Sequence, residues 1–86
     1  MPRLSEFFGV IITMYFNDHG PPHFHARYGN DEAKISIESL ELLKGKLPRR
    51  ALSLVLEWAS EHRRELMQNW KLIQKGIPAK PIKPLR

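Results

Sequence analysis

The sequence predicts an α+β fold in which a small antiparallel sheet of three or four strands packs against one long C-terminal helix. Two observations predict this class. The first half of the chain contains short apolar or alternating runs separated by turn residues, which is typical of antiparallel strands. The second half contains one long stretch with apolar residues at helical spacing. With 86 residues, the chain is expected to form one small domain.

Two strand-like runs flank a proline-containing turn. Residues 7–16 are apolar on both faces of the pleat, which indicates a strand that is covered on both sides. Residues 23–28 alternate between apolar and polar side chains, as in a strand with one buried face. Pro21 and Pro22 lie between the runs. Because proline lacks the donor that a strand ladder needs, the chain is expected to turn there.

A second alternating run, residues 33–38, predicts a hairpin with residues 23–28 through a loop at residues 29–32. A shift of this register by two residues would leave every side chain on the same face. Residues 40–46 are compatible with a short fourth strand at the edge. The predicted polar pairs are Arg27 with Lys34, His25 with Ser36 and His23 with Glu38.

One long helix is predicted over residues 48–75, with Gly76 as its stop, because proline favours the first helical turn and glycine the position after the end. Its main apolar stripe would pack on the sheet. A second shoulder of Leu54, Trp58 and Leu72 exceeds what a small sheet can cover, which favours a protein partner or a homodimer. The alternative is that the edge segment or the C-terminal tail folds back over this shoulder.

Composition narrows the possible classes of protein. Residues 1–76 are predicted to form a single α+β domain, and residues 77–86 a basic, proline-rich C-terminal arm of extended structure. The absence of cysteine excludes disulfides and thiolate metal sites. The net charge of +5 favours an anionic partner, either RNA, DNA or an acidic protein. No run is long enough to span a membrane and no signal peptide is recognised, so a cytoplasmic location is expected.

Three of the four histidines lie within seven residues, at His19, His23 and His25, directly after Asp18. Histidine titrates near neutral pH and is the commonest metal ligand. One interpretation is a metal site in which these four side chains bind a divalent transition metal such as zinc, manganese, nickel or iron.

A second interpretation is metal-free cleavage of phosphodiesters, in which two of the three histidines act as general acid and base. Arg27 and Lys34 would contact the anion and stabilise developing charge. Asp18 or Glu38 would orient an imidazole ring. The structural alternative is that two of the histidines hydrogen-bond within the proline-containing turn and the third is merely solvated.

The residues of this motif also carry a family resemblance. Residues 14–28, with residues 7–9, 45–51 and 57–59, resemble the small bacterial domain-of-unknown-function family 4160, and the resemblance extends over residues 2–85. Members of that family are commonly encoded beside a second small domain, domain-of-unknown-function family 2442. The arrangement is similar to a type II toxin–antitoxin pair, so the resemblance implies a toxin that a small antitoxin binds and masks.

The sequence and the resemblance together favour a toxin that inhibits growth through RNA, DNA or the translation machinery. The three clustered histidines are its expected working groups, and the second helix shoulder is the expected docking surface for the antitoxin. Whether the chain is an enzyme is left open. A different class of function is a non-enzymatic adaptor that binds a metal or nucleic acid.

Overall fold

The computed structural model describes residues 3–16 and 19–85. It confirms an α+β fold with an antiparallel sheet, but the sheet has five strands and the helical part has two helices. Each strand pairs with the next one along the chain. The strands are β1 (Arg3–Phe7), β2 (Val10–Thr13), β3 (His23–Tyr28), β4 (Asp31–Ser36) and β5 (Leu42–Gly45), and the helices are α1 (Arg49–Glu61) and α2 (Arg63–Gln74).

The first apolar run is divided by a tight turn, so the prediction of one strand over residues 7–16 is wrong. Phe8 and Gly9 have φ angles of +48° and +83°, the two positive values that a type I′ hairpin turn requires. Phe7 therefore pairs with Val10, and β1 forms an edge of the sheet. The additional strand β1 accounts for most of the difference between the five observed strands and the three or four predicted strands.

The central hairpin has the predicted faces but a register shifted by two residues. Its loop is the pair Gly29-Asn30 rather than residues 29–32, and Gly29 has a φ angle of +61°. Glycine at the first position of a two-residue loop is typical of a type II′ turn. The observed polar pairs are Arg27 with Glu32, His25 with Lys34 and His23 with Ser36.

The predicted single helix is broken at His62. This residue has φ −122° and ψ +22°, outside the helical range, and its Nδ1 lies 2.6 Å from Glu65 Oε1. One straight helix over residues 49–74 would be about 39 Å long at ~1.5 Å per residue. Since the longest dimension of the domain is 33 Å, the break lets α2 stay in contact with the core. Neither helix of the described residues is long and apolar enough to cross a membrane.

The core lies between the helices and the apolar face of the sheet, and Trp58 is its largest fully buried side chain. The Trp58 ring centroid lies 5.4 Å from that of Phe7 and 6.0 Å from that of Phe24. Trp58 therefore packs against side chains of β1 and β3. The prediction that Trp58 lies on a shoulder left for a partner is wrong, and the alternative, in which the C-terminal tail folds back over it, is confirmed for this residue.

Residues 77–85 have no regular secondary structure, but they pack against the domain rather than leaving it. The Trp58 indole N–H donates to the Lys83 carbonyl oxygen at 2.9 Å. The buried Asn69 side chain bonds both the N–H and the carbonyl of Lys80, each at 2.9 Å. The N–H of Ile82 donates to the Leu4 carbonyl oxygen of β1 at 2.8 Å. The tail is thus the segment that covers part of the helix shoulder.

Candidate functional site

The sheet face opposite the core carries three of the predicted site residues, His25, Arg27 and Lys34. Directly paired residues of neighbouring strands project to the same side of a sheet. The strand register therefore places one residue set together, which we call the polar face. It consists of Ile11 and Thr13 of β2, the following Tyr15, His25 and Arg27 of β3, Glu32 and Lys34 of β4, and Lys44 of β5. Arg3 and Glu6 of β1 lie beside it on the same side of the sheet and form an ion pair with each other at 2.9 Å.

Tyr15, His25 and Glu32 form a cluster within the polar face. Glu32 Oε2 lies 3.4 Å from the Tyr15 hydroxyl, which donates to it, and 3.4 Å from His25 Nδ1. The Tyr15 and His25 rings meet edge to face with centroids 4.5 Å apart. The side chain of His25 is 15% exposed and that of Glu32 is 41% exposed. A carboxylate beside Nδ1 orients the imidazole, which directs Nε2 away from Glu32.

Cationic side chains surround this cluster on two sides. Lys34 and Lys44 are cross-strand partners and, with His25 and Glu32, line a cavity of about 320 Å³. A smaller cavity of about 140 Å³ on the other side of Glu32 is lined in part by Arg27 and Tyr15. The polar face thus has three cations, Arg27, Lys34 and Lys44, around one carboxylate, and Arg3 and Glu6 beside it neutralise each other. Its net charge is positive, which favours an anionic ligand.

His23 occupies a different environment from His25, although both project from the same side of β3. Its side chain is almost completely buried, and its Nδ1–H donates to the Pro21 carbonyl oxygen at 2.9 Å. Its ring centroid lies 5.0 Å from that of Trp70 in α2 and 5.3 Å from that of His25. His23 therefore supports His25 from the side and, being buried, is not placed to contact a substrate.

The predicted histidine cluster is only partly assembled. His23 and His25 are neighbours, while His19 is exposed in the turn before β3. Among residues 3–16 and 19–85, no group of three His, Asp or Glu side chains is arranged to hold a metal ion. Asp18, the fourth predicted ligand, lies outside the described residues. The metal interpretation therefore stays a prediction.

The remaining predicted site residues that the structure describes lie outside the polar face. Glu38 follows β4 and lines a cavity with Arg63 and Arg64 of α2 rather than orienting a histidine. Leu54 lines a cavity at one end of the sheet, and Leu72 lines another beside the tail. With Trp58 buried between the sheet and the tail, Leu54, Trp58 and Leu72 do not form one docking surface.

Sequence reasoning did not identify three ionisable residues of the polar face as site residues, namely Tyr15, Glu32 and Lys44. A signal for Glu32 was present, because Gly-Asn between two alternating runs is typical of a two-residue hairpin loop. That loop places Glu32 directly opposite Arg27. Lys44 depends on the register of a short, irregular edge strand, which the sequence does not specify.

We expect alanine at His23 to lower the free energy of unfolding by about 2–3 kcal/mol, because it removes a packed ring and leaves a hydrogen bond unmade. Alanine at the exposed His19 is the matched control, with an expected change within about 0.5 kcal/mol. Urea unfolding followed by circular dichroism measures both. Equal effects at the two positions would contradict the supporting role assigned to His23.

Comparison with known proteins places the chain in a family. The model of the domain of unknown function DUF4160 matches residues 9–71, more than half of the chain. The chain belongs to the DUF4160 family. The DUF4160 match runs from β2 through most of α2 and so includes the whole polar face. No curated protein and no solved structure shows significant similarity to the chain.

Proposed function

We propose that this DUF4160 protein binds single-stranded RNA on the polar face and acts in the cytoplasm as the toxin of a type II toxin–antitoxin pair. The observation that carries the proposal is the grouping of Arg27, Lys34 and Lys44 around the partly exposed His25. Binding of RNA essential to translation would inhibit growth. A small antitoxin of the family 2442 type, implied by the resemblance, would relieve that inhibition.

The arrangement of charge favours an anionic ligand over a merely solvated surface. Lys34 and Lys44 are directly paired on neighbouring strands, and like charges in such a position destabilise a sheet. A bound phosphate between them would convert this repulsion into attraction. The overall charge of +5 would also speed the encounter with a polyanion.

The shape of the face favours a single strand. Open sheet surfaces recognise unpaired RNA by combining cations for the backbone with aromatic rings for the bases. The polar face offers the His25 and Tyr15 rings between its cationic side chains. Both rings are half-buried, so they are already ordered before a base would stack on them.

The same geometry would support cleavage with His25 as general base. Nε2 of His25 would take the proton of a ribose 2′-hydroxyl, whose oxygen attacks the adjacent phosphorus and displaces the 5′-oxygen. Glu32 would orient the ring, and Lys34 and Lys44 would stabilise the charge that develops on the phosphate oxygens. A proton donor for the departing 5′-oxygen would come from water or from Tyr15.

A second candidate function is a non-enzymatic adaptor that binds RNA without cleaving it. The burial of His23 favours this candidate, because it removes one of the two histidines that a paired acid–base mechanism would use. Any toxicity of an adaptor would come from occupying its target.

Expression of the chain alone in a bacterium tests these functions. We expect growth arrest by the wild type and by the exposed control His19→Ala. Arrest should be lost in the double variant Lys34→Ala and Lys44→Ala, which removes the anion contacts. Loss of arrest in His25→Ala, while this variant still binds RNA, supports cleavage, and retained arrest supports the adaptor. The absence of arrest by the folded wild type would contradict the toxin proposal.

A further inference from the structure

A second surface lies at the opposite end of β3 from His23, where the β1–β2 turn approaches the start of α1. Phe8, Tyr28 and Leu54 are the large apolar side chains there, and they border a cavity of about 400 Å³. Phe8 is 60% exposed and Tyr28 is 40% exposed. Pro48, Ala51 and the cationic Arg50 complete the lining. We call these six residues the apolar notch.

Phe8 is in an unfavourable state in two respects. It has a φ of +48°, a left-handed conformation that is rare for a bulky side chain and common for asparagine or glycine at this turn position. It also leaves most of an aromatic ring in water. Folding alone does not explain this choice, because a polar turn residue would relieve both costs. Strain of this kind recurs where a residue serves a binding site.

The opposite wall of the notch is fixed in place. A Cβ added to Gly9 would lie 3.2 Å from the Tyr28 ring, so the ring packs closely over the glycine. Tyr28 also pairs with Val10 of β2 and Asp31 of β4. The notch is therefore held open by ordered backbone on both sides, which lowers the entropic cost of filling it.

We propose that the apolar notch receives an aromatic or leucine side chain from an acidic segment of a protein partner, with a neighbouring carboxylate of that segment on Arg50. The half-exposed rings provide the apolar contact, and Arg50 selects the charge beside it. The notch lies on the core side of the sheet, opposite the polar face. The proposal therefore does not depend on the binding of RNA.

The positive charge at the notch favours an acidic partner over a second copy of the chain. In a twofold-symmetric dimer the same patch lies on both subunits, so the Arg50 side chains of the two copies would approach each other. Arg49, the preceding residue, is also exposed. Each copy carries a net charge of +5. An acidic partner converts this repulsion into attraction.

Titration of ¹⁵N-labelled protein with three synthetic hexapeptides tests the proposal. The first has two phenylalanines flanked by aspartates, the second has lysines in place of the aspartates, and the third has serines in place of the phenylalanines. We expect only the first to shift the resonances of Phe8, Tyr28 and Leu54. The variant Arg50→Glu should reverse the preference so that it binds the lysine peptide at least fivefold more tightly than the aspartate peptide.

Three outcomes would overturn the proposal. They are no shift with the first peptide, shifts confined to the polar face, and an unchanged charge preference in Arg50→Glu. Sedimentation of the free protein adds an independent test. A concentration-dependent dimer that Leu54→Asp dissociates would assign the notch to a second copy instead of an acidic partner.

A variant of Phe8 separates binding from folding. We expect Phe8→Asn to raise the midpoint of thermal unfolding by about 4 °C or more, since it relieves the left-handed strain. The same variant should bind the first peptide at least fivefold more weakly. Ile77→Asn, at another exposed apolar position, is the control and should change neither value. A lower midpoint in Phe8→Asn would show that Phe8 is retained for folding and would overturn the proposal.

Discussion

Replacement of Trp58 by alanine is expected to lower the free energy of unfolding by about 3–5 kcal/mol. The ring is completely buried and contacts Phe7 and Phe24, and its N–H is bonded to the Lys83 carbonyl oxygen. The variant therefore loses core packing and one attachment of the tail together. Small domains are stable by only about 5–15 kcal/mol, so a substantial unfolded fraction is expected on moderate heating. Urea unfolding followed by circular dichroism measures the loss.

Two further variants separate the contributions. Trp58→Phe retains much of the ring packing but cannot donate to Lys83, and we expect a loss of about 1–2 kcal/mol. Leu54→Ala changes a half-buried residue of the same predicted shoulder and should cost about 1 kcal/mol. If Trp58→Ala cost no more than Leu54→Ala, the burial of Trp58 beneath the tail would be contradicted.

Simultaneous alanine substitution of Arg27, Lys34 and Lys44 is expected to weaken binding of a single-stranded oligoribonucleotide by about 100-fold near 0.1 M salt. All three cations lie on the polar face around His25. Removal of three phosphate contacts should also lower the slope of log affinity against log salt by about 2, at ~0.7 per contact. Fluorescence anisotropy at several salt concentrations measures both quantities.

The matched control removes the same number of positive charges from another surface. Arg63, Arg64 and Lys71 line one cavity on α2, and their triple alanine variant has the same net charge as the polar-face variant. We expect it to weaken RNA binding by less than about 5-fold through loss of general attraction. A loss of affinity equal to that of the polar-face variant would show that overall charge, and not the polar face, determines binding.

The polar face could be predicted because a register error of two residues leaves every side chain on the same face of its strand. The predicted loop was two residues too long, yet His25, Arg27 and Lys34 still lie on one face. A shift of one residue would have moved each strand's set to the opposite face. Residue type and spacing were therefore enough to place these three residues on one face. Their cross-strand partners could be predicted only with the correct length of the hairpin loop.

Features that depend on distant parts of the chain could not be predicted. His23 and His25 have the same residue type on the same strand face, but Trp70 of α2 packs on His23 and not on His25. Trp58 has the helical spacing of a surface shoulder, but the tail covers it. The sequence pattern does not indicate the turn at Phe8, because an aromatic residue occupies a position that usually holds asparagine or glycine. In each case tertiary contacts override the local pattern.

The most direct test of the RNA proposal is a map of the protein residues that a short oligoribonucleotide contacts, measured by chemical-shift changes in ¹⁵N-labelled protein. We expect the largest changes at His25, Arg27, Lys34 and Lys44, and small changes at Arg63 and Lys71 of α2. Largest changes on α2, or no changes at low salt, would contradict the assignment of the polar face as the RNA-binding surface.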